Sequence, residues 1–297
     1  MSAANQIAAR SWRTVAISPI LAFYGLMALL PMANLLYLTV HSVQWRDGKA
    51  DWQFVGMAHF ARIPADPFFG IGAINTVWFA VVSVAVQMLL GFALALLVTR
   101  IRFGARVYKT LFILPILIPG IVVGAIWKLM YDPDFGVVNK ILEFGGMMGH
   151  DWTGSPALAL ASVIVVDIWH WTPFVFLLML AGLESLPQDV YEAAKVDGTS
   201  GWRELIYITL PLMAPTILVT LLFRTILAFK VFDEIFLLTG GGPGTATEVI
   251  SFSIYRRFFG EANYGYAAAL SVVTILVISL LVVGMLAVQR RAQENPA

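Results

Sequence analysis

Four charged residues, Arg224, Lys230, Asp233 and Glu234, stand within one long apolar run between Leu212 and Leu237. A charge at bilayer depth is costly, so such side chains face a bundle interior or water. Lys230 lies three and four residues before Asp233 and Glu234, a spacing at which helical neighbours form ion pairs. Arg224 has no acidic residue within one turn of its own segment, and its guanidinium offers only donors. Such a group suits an oxygen-rich solute, with Phe229, Phe232 and Phe236 supplying apolar faces beside it. This reading has Arg224 lining a solute cavity whose outer part is shaped by Lys230, Phe232, Asp233 and Phe236. Trp169 is a further candidate to stack on a ring. Internal pairing of Lys230 with the two carboxylates is the alternative.

Other chemistries find little support. The chain has no cysteine, which removes disulfides, thiolate metal sites and cysteine nucleophiles. Its four histidines, His41, His59, His150 and His170, lack ligand spacing, and no metal is expected. The glycine run Gly240–Gly244 is not followed by the Lys and hydroxyl of a phosphate-binding loop, so a flexible turn is expected there. With no such loop anywhere, ATP hydrolysis would have to come from another chain. No nucleophile motif or carboxylate pair suggests an enzyme, and a net charge of +1 argues against nucleic acid.

The elements that must position these residues are membrane helices. Hydrophobic residues make up 59% of the 297 and charged ones only 12%, against about 25% charged in soluble domains. Six runs are long enough to cross the hydrocarbon core, near Val15–Val40, Ile74–Val98, Leu111–Met130, Ala157–Leu180, Leu212–Leu237 and Tyr266–Val288. The first runs on too far for a signal peptide and reads as an uncleaved anchor. The dense cluster Arg100, Arg102, Arg106 and Lys109 puts both termini, and the polar insert before the fifth span, in the cytoplasm. Gly91 with Ala95, and Gly120 with Gly124, allow close helix approach. Pro31, Pro115, Pro119 and Pro173 would bend the spans that contain them.

The insert itself is legible. Ser185 and Gln188 form a possible capping box for a short helix that runs to Val196. Asp197-Gly198 would end it in a left-handed turn, and a second short helix would start at Thr199 or Ser200. Leu186, Val190, Ala193 and Ala194 recur on one side, where small alanines would let the helix enter a groove in a partner.

Glu192-Ala193-Ala194, Asp197-Gly198 and Leu210-Pro211 resemble, at matching spacing, the cytoplasmic loop of membrane subunits of binding-protein-dependent ABC importers. Downstream, Phe232-Asp233, Leu238–Gly244, Thr247-Glu248, Tyr255 and Gly265–Ala269 resemble the carbohydrate-type branch, which includes the maltose and glycerol-phosphate systems. The resemblance covers roughly Asn75 to Val288. It implies an all-α polytopic permease of six transmembrane helices with the type I importer bundle, in a bacterial or archaeal cytoplasmic membrane. Glu192, Ala193, Ala194, Asp197, Gly198, Leu210 and Pro211 would couple it to the ATPase. The implied partners are a second related permease, two cytoplasmic ATPase subunits carrying ATP and magnesium, an external solute-binding protein and a sugar, oligosaccharide or polyol. The expected division is an N-terminal region 1–73, a core 74–288 containing the coupling loop 181–213, and a tail 289–297. Alternatives are a permease for another polar solute and an ATP-independent secondary transporter, which would need coupling-ion sites and usually an internal repeat.

Overall fold

The structure is a computed structural model and describes residues 3–101, 103–199 and 201–294. Arg102 of the basic cluster and Ser200, a candidate helix start, lie outside the described residues. The chain separates into two compact units. One comprises the chain up to Ala65 together with Ile254–Ile275, and the other Asp66–Ser253 together with the chain from Leu276.

In the first unit, helix α1 (Ala3–Thr39) leads into a two-stranded antiparallel hairpin, β1 (His41–Arg46) and β2 (Lys49–Phe54). Among the described residues, the hairpin is the strand structure that the sequence reading missed. Its turn, Asp47-Gly48, has positive φ at both residues (50° and 72°), the geometry a two-residue hairpin loop requires. Tyr266 is buried in the same unit, with the guanidinium carbons of Arg62 and Arg257 4.7 and 5.8 Å from its ring centroid.

The second unit is a helical bundle. Helix α2 (Pro67–Arg100) begins at Pro67 rather than near Ile74, because the Asp66 side chain caps it, accepting from the amides of Phe68 and Phe69. Proline at its first position costs nothing, since that amide has no helical partner. The expected third span is broken. Helix α3 (Ala105–Ile113) continues through a tight turn, Leu114–Leu117, before the chain turns by 94° into α4 (Gly120–Met130). Pro119 removes an amide and forces Ile118 into an extended conformation (ψ 127°), so no helix continues through this point.

Helix α5 (Ala159–Glu184) is followed by α6 (Gln188–Val196) in the insert. A helical turn, Trp202–Glu204, and a wide turn, Leu205–Thr209, then run directly into α7 (Leu210–Phe229). The wide turn makes room for the ring of Pro211, which in a regular helix would press on the carbonyl four residues back. After a break at Lys230–Phe232 comes α8 (Asp233–Leu238); the last helix, α9 (Tyr264–Glu294), begins in the first unit and belongs to the second from Leu276. Among the described residues, five helices are long and apolar enough to cross a membrane, or six if the bent pair is one span.

The core of this unit packs Ala95 and Val98 of α2, Val175, Phe176, Met179 and Leu180 of α5, and Met213 of α7. Both small-residue pairs mark close approaches. A Cβ on Gly91 would lie 2.6 Å from Val175 Cγ1 and 2.9 Å from the Phe176 amide nitrogen. One on Gly124 would lie 2.8 Å from Leu237 Cβ.

Candidate functional site

The charges of the fifth apolar run are arranged around partners that the run itself does not contain. Arg224 is fully buried. Its Nε donates to Gln87 Oε1 on α2 and a terminal nitrogen donates to Asp167 Oδ2 on α5. Gln87 in turn donates to Asp167 Oδ2 at 2.9 Å and to the Asp167 carbonyl at 2.8 Å. The guanidinium carbon also sits 5.4 Å from the Trp171 ring centroid. Three helices are therefore joined through one buried cation. This corrects the expectation that Arg224 presents its donors to a solute, because a neighbouring helix supplies the acid its own segment lacks.

A second buried pair lies one turn further along α5. His170 Nδ1 is 3.0 Å from Glu234 Oε1, and its Nε2 is 3.1 Å from the Ile118 carbonyl at the break between α3 and α4. The Ile118 carbonyl can only accept, so the ring donates to it from Nε2. The alternative reading paired Lys230 with Asp233 or Glu234. The helix ends at Lys230, which destroys the turn spacing, and among the described residues neither carboxylate forms an ion pair with it.

Lys230 and Asp233 are exposed, and they line a cavity of about 250 Å³ with Gly120, Asp167, His170, Trp171, Leu227, Val231, Phe232 and Glu234. Gly120 is what admits Asp233 here, since a Cβ would lie 2.7 Å from Asp233 Oδ2. Phe236 stacks on Phe232, with ring centroids 5.4 Å apart, but is not part of the cavity wall. Trp169 lies elsewhere, edge-on to Trp127 at 5.6 Å, in an apolar pocket with Leu90, Pro115 and Phe176. The structure thus brings Lys230, Phe232 and Asp233 together and leaves out Arg224, Phe236 and Trp169.

The expected flexible turn at Gly240–Gly244 is instead tied down. Asn75 Nδ2 donates to the carbonyls of Thr245, Ala246 and Glu248, and the Thr247 hydroxyl donates to the Gly242 carbonyl. Gly241, at φ +83°, has no room for a Cβ beside the Phe252 ring.

In the insert, α6 begins after Pro187 without a side-chain cap. Ser185 belongs to the end of α5, where its hydroxyl donates to the Gly182 carbonyl at 2.7 Å, so the capping box does not form. The other end is as read. The Thr199 amide donates to the Ala194 carbonyl, the Gly198 amide to that of Lys195, and Gly198 has φ +76°, a left-handed helix stop. Gly201, at φ +58°, delays the next helical turn to Trp202. The Tyr191 hydroxyl meets the Thr209 hydroxyl at 3.0 Å, joining the two arms. Ala194 is buried, while Glu192, Ala193, Asp197 and Gly198 are exposed, with Val190 39% and Val196 88% accessible. The side expected to carry Ala193 and Ala194 together is divided, with Ala194 buried and Ala193 in solvent. Leu210 and Pro211 open α7.

A helical bundle with membrane-length spans, buried polar pairs at its centre and an exposed polar insert defines a multi-span membrane protein. Residues 87–293 match the family described as binding-protein-dependent transport system inner membrane component, and the chain belongs to that family. It is 36% identical over 263 residues to the trehalose/maltose transport system permease protein MalF of Thermococcus litoralis, covering 88% of each chain. It is 34% identical to the sulfoquinovosyl glycerol transport system permease protein SmoG of Agrobacterium fabrum, covering 86% of this chain and 83% of that one. Among solved structures, it matches a chain of a bacterial alginate ABC transporter in complex with an alginate pentasaccharide-bound periplasmic protein. That match has a TM-score of 0.85 at 26% identity and covers 98% of this chain and 99% of the other.

Sequence reasoning missed Gln87, Asp167 and the pairing of Glu234 with His170. Asp167 carried a usable signal, being an acid inside an apolar span.

Proposed function

We propose that this chain is one half of the membrane pathway of an ATP-driven importer of sugars or oligosaccharides, with both termini and the insert on the cytoplasmic side. The observation that carries the reading is the insert, where α6 is stopped at Gly198 and tied through Tyr191 to Thr209 yet shows Val190, Glu192, Ala193 and Val196 to solvent. A soluble ATPase subunit is the occupant proposed for that surface, with Glu192 accepting from one of its basic residues. The names of the relatives support the solute class, and the cavity beside Lys230 and Asp233 supports its location. A charged donor, a carboxylate acceptor and the faces of Trp171 and Phe232 suit a hydroxyl-rich ring. Delivery by an external binding protein and pairing with a second permease complete the proposal.

The test is reconstitution of the complex purified from its native membrane into proteoliposomes, with uptake measured across a panel of sugars and polyols. ATP-dependent uptake of a sugar, lost on omitting the ATPase subunit, is expected. Solute movement by this chain without ATP would overturn the reading.

A further inference from the structure

The hairpin that follows α1 has two chemically distinct faces. Its register sets His41 opposite Phe54, Val43 opposite Trp52 and Trp45 opposite Ala50. Residues directly opposed in an antiparallel pair share a face, and successive residues alternate. All six of these therefore lie on one side, while Ser42, Gln44, Lys49, Asp51 and Gln53 lie on the other. The apolar side is uncovered, with Trp45 63%, Trp52 46% and Phe54 74% accessible. An isolated two-stranded hairpin is marginal in water, and three wet rings add nothing to its stability.

Its position indicates what covers it. The apolar span of α1, Val15–Thr39, has 25 residues and none of its best window is buried in the protein. At about 1.5 Å per residue it covers about 37 Å, against a hydrocarbon core of about 30 Å, so Thr39 reaches the headgroup boundary. His41 follows two residues later. The hairpin cannot swing away from that boundary. The Val55 amide donates to the Val40 carbonyl at 2.8 Å, and His41 Nδ1 is 2.8 Å from the Tyr37 carbonyl. The rings form one continuous surface across the junction. Tyr37, in the last turn of α1, stacks on His41 at 4.0 Å and lies 5.7 Å from Trp52, and His41 lies 5.5 Å from Phe54.

We propose that the aromatic face of the hairpin lies in the lipid headgroup boundary and anchors the far end of α1, with Lys49, Asp51 and Gln53 turned to water. Tryptophan and tyrosine rings favour that depth because each is apolar with one polar atom. Continuity with the uncovered surface of the span favours lipid over a protein partner.

The absence of cysteine makes the test direct. Single variants Trp45→Cys, Phe54→Cys, Lys49→Cys and Gln53→Cys of this chain, in the assembled complex freed of other reactive thiols, carry a nitroxide label in phosphatidylcholine–phosphatidylglycerol vesicles. Collision with oxygen, which concentrates in lipid, is compared with collision with a water-soluble nickel chelate. Oxygen should dominate at positions 45 and 54 and nickel at 49 and 53, a reversal with the period of the strand. Exclusion of both probes at 45 and 54 would overturn the proposal in favour of a protein partner, and nickel access on both faces would leave the hairpin in solvent. As a check independent of labelling, brominated lipid should quench the unlabelled complex more than its Trp45→Phe variant, and equal quenching also overturns the anchor.

Discussion

The centre of the bundle and the insert between α5 and α7 are both rich in polar groups, yet they handle them in opposite ways. At the centre, Arg224, Asp167 and Gln87 satisfy one another across three helices, and His170 joins Glu234 to a broken helix end. In the insert, backbone hydrogen bonds and Gly198 hold α6 in place while its side chains remain available. Burial of a charge without its partner costs several kcal/mol, so the central groups are fixed by their neighbours. Exposed groups on a rigid frame are instead free to meet another molecule. A charged side chain in a membrane protein is thus read from its partners before its depth.

The largest effect that would break this contrast concerns Arg224→Ala. It leaves the buried Asp167 without its cation and should destabilise the bundle by about 3–5 kcal/mol. Thermal unfolding and yield of the purified complex measure this. Normal assembly with transport alone abolished would return Arg224 to the solute pathway.

Gly91→Leu should come next, at about 1–3 kcal/mol, because the new side chain drives α2 off Val175 and the Phe176 backbone. The same unfolding assay reads it, and an unchanged midpoint would mean that the two helices do not pack as described.

Gly198→Val sharpens the other half of the contrast. No atom lies within 4 Å of a Cβ there, so the penalty is that of positive φ alone, about 1–2 kcal/mol and confined to the insert. Unfolding of the bundle should barely change while ATP turnover loses its link to uptake. Wild-type uptake at normal expression would remove Gly198 from the coupling role.

The smallest stability change, within about 0.5 kcal/mol, is expected for Lys230→Ala and Asp233→Asn, because both side chains are exposed. Their effect should fall on the solute concentration needed for half-maximal uptake. Unaltered uptake kinetics in both would place the solute elsewhere.

What was legible in the sequence depended on distance along the chain. Apolar runs announce spans locally, and the spacing from Ala194 to Gly198 announces a helix stop locally, so both were readable. The partners of Arg224 are 137 and 57 residues away, and no local pattern links such positions. The alternative of an ion pair at Lys230 failed for a related reason. Turn spacing is meaningful only inside a helix, and the helix ends at that residue. Pro119 was read as a bend, but a residue type does not specify 94°. The hairpin was missed although Asp47-Gly48 lies between alternating residues, because apolar content drew attention to helices.

The break at Ile118-Pro119 leaves a carbonyl with no helical donor, and His170 fills that role while its other nitrogen meets Glu234 at the second interrupted helix. One imidazole ring is therefore a pin through two joints. If the bend between α3 and α4 straightens, either the Ile118 carbonyl loses its donor in apolar surroundings or the ring turns and Glu234 loses its partner. Neither joint can open alone without that cost, so a conformational cycle in this bundle must move the two as a single linkage.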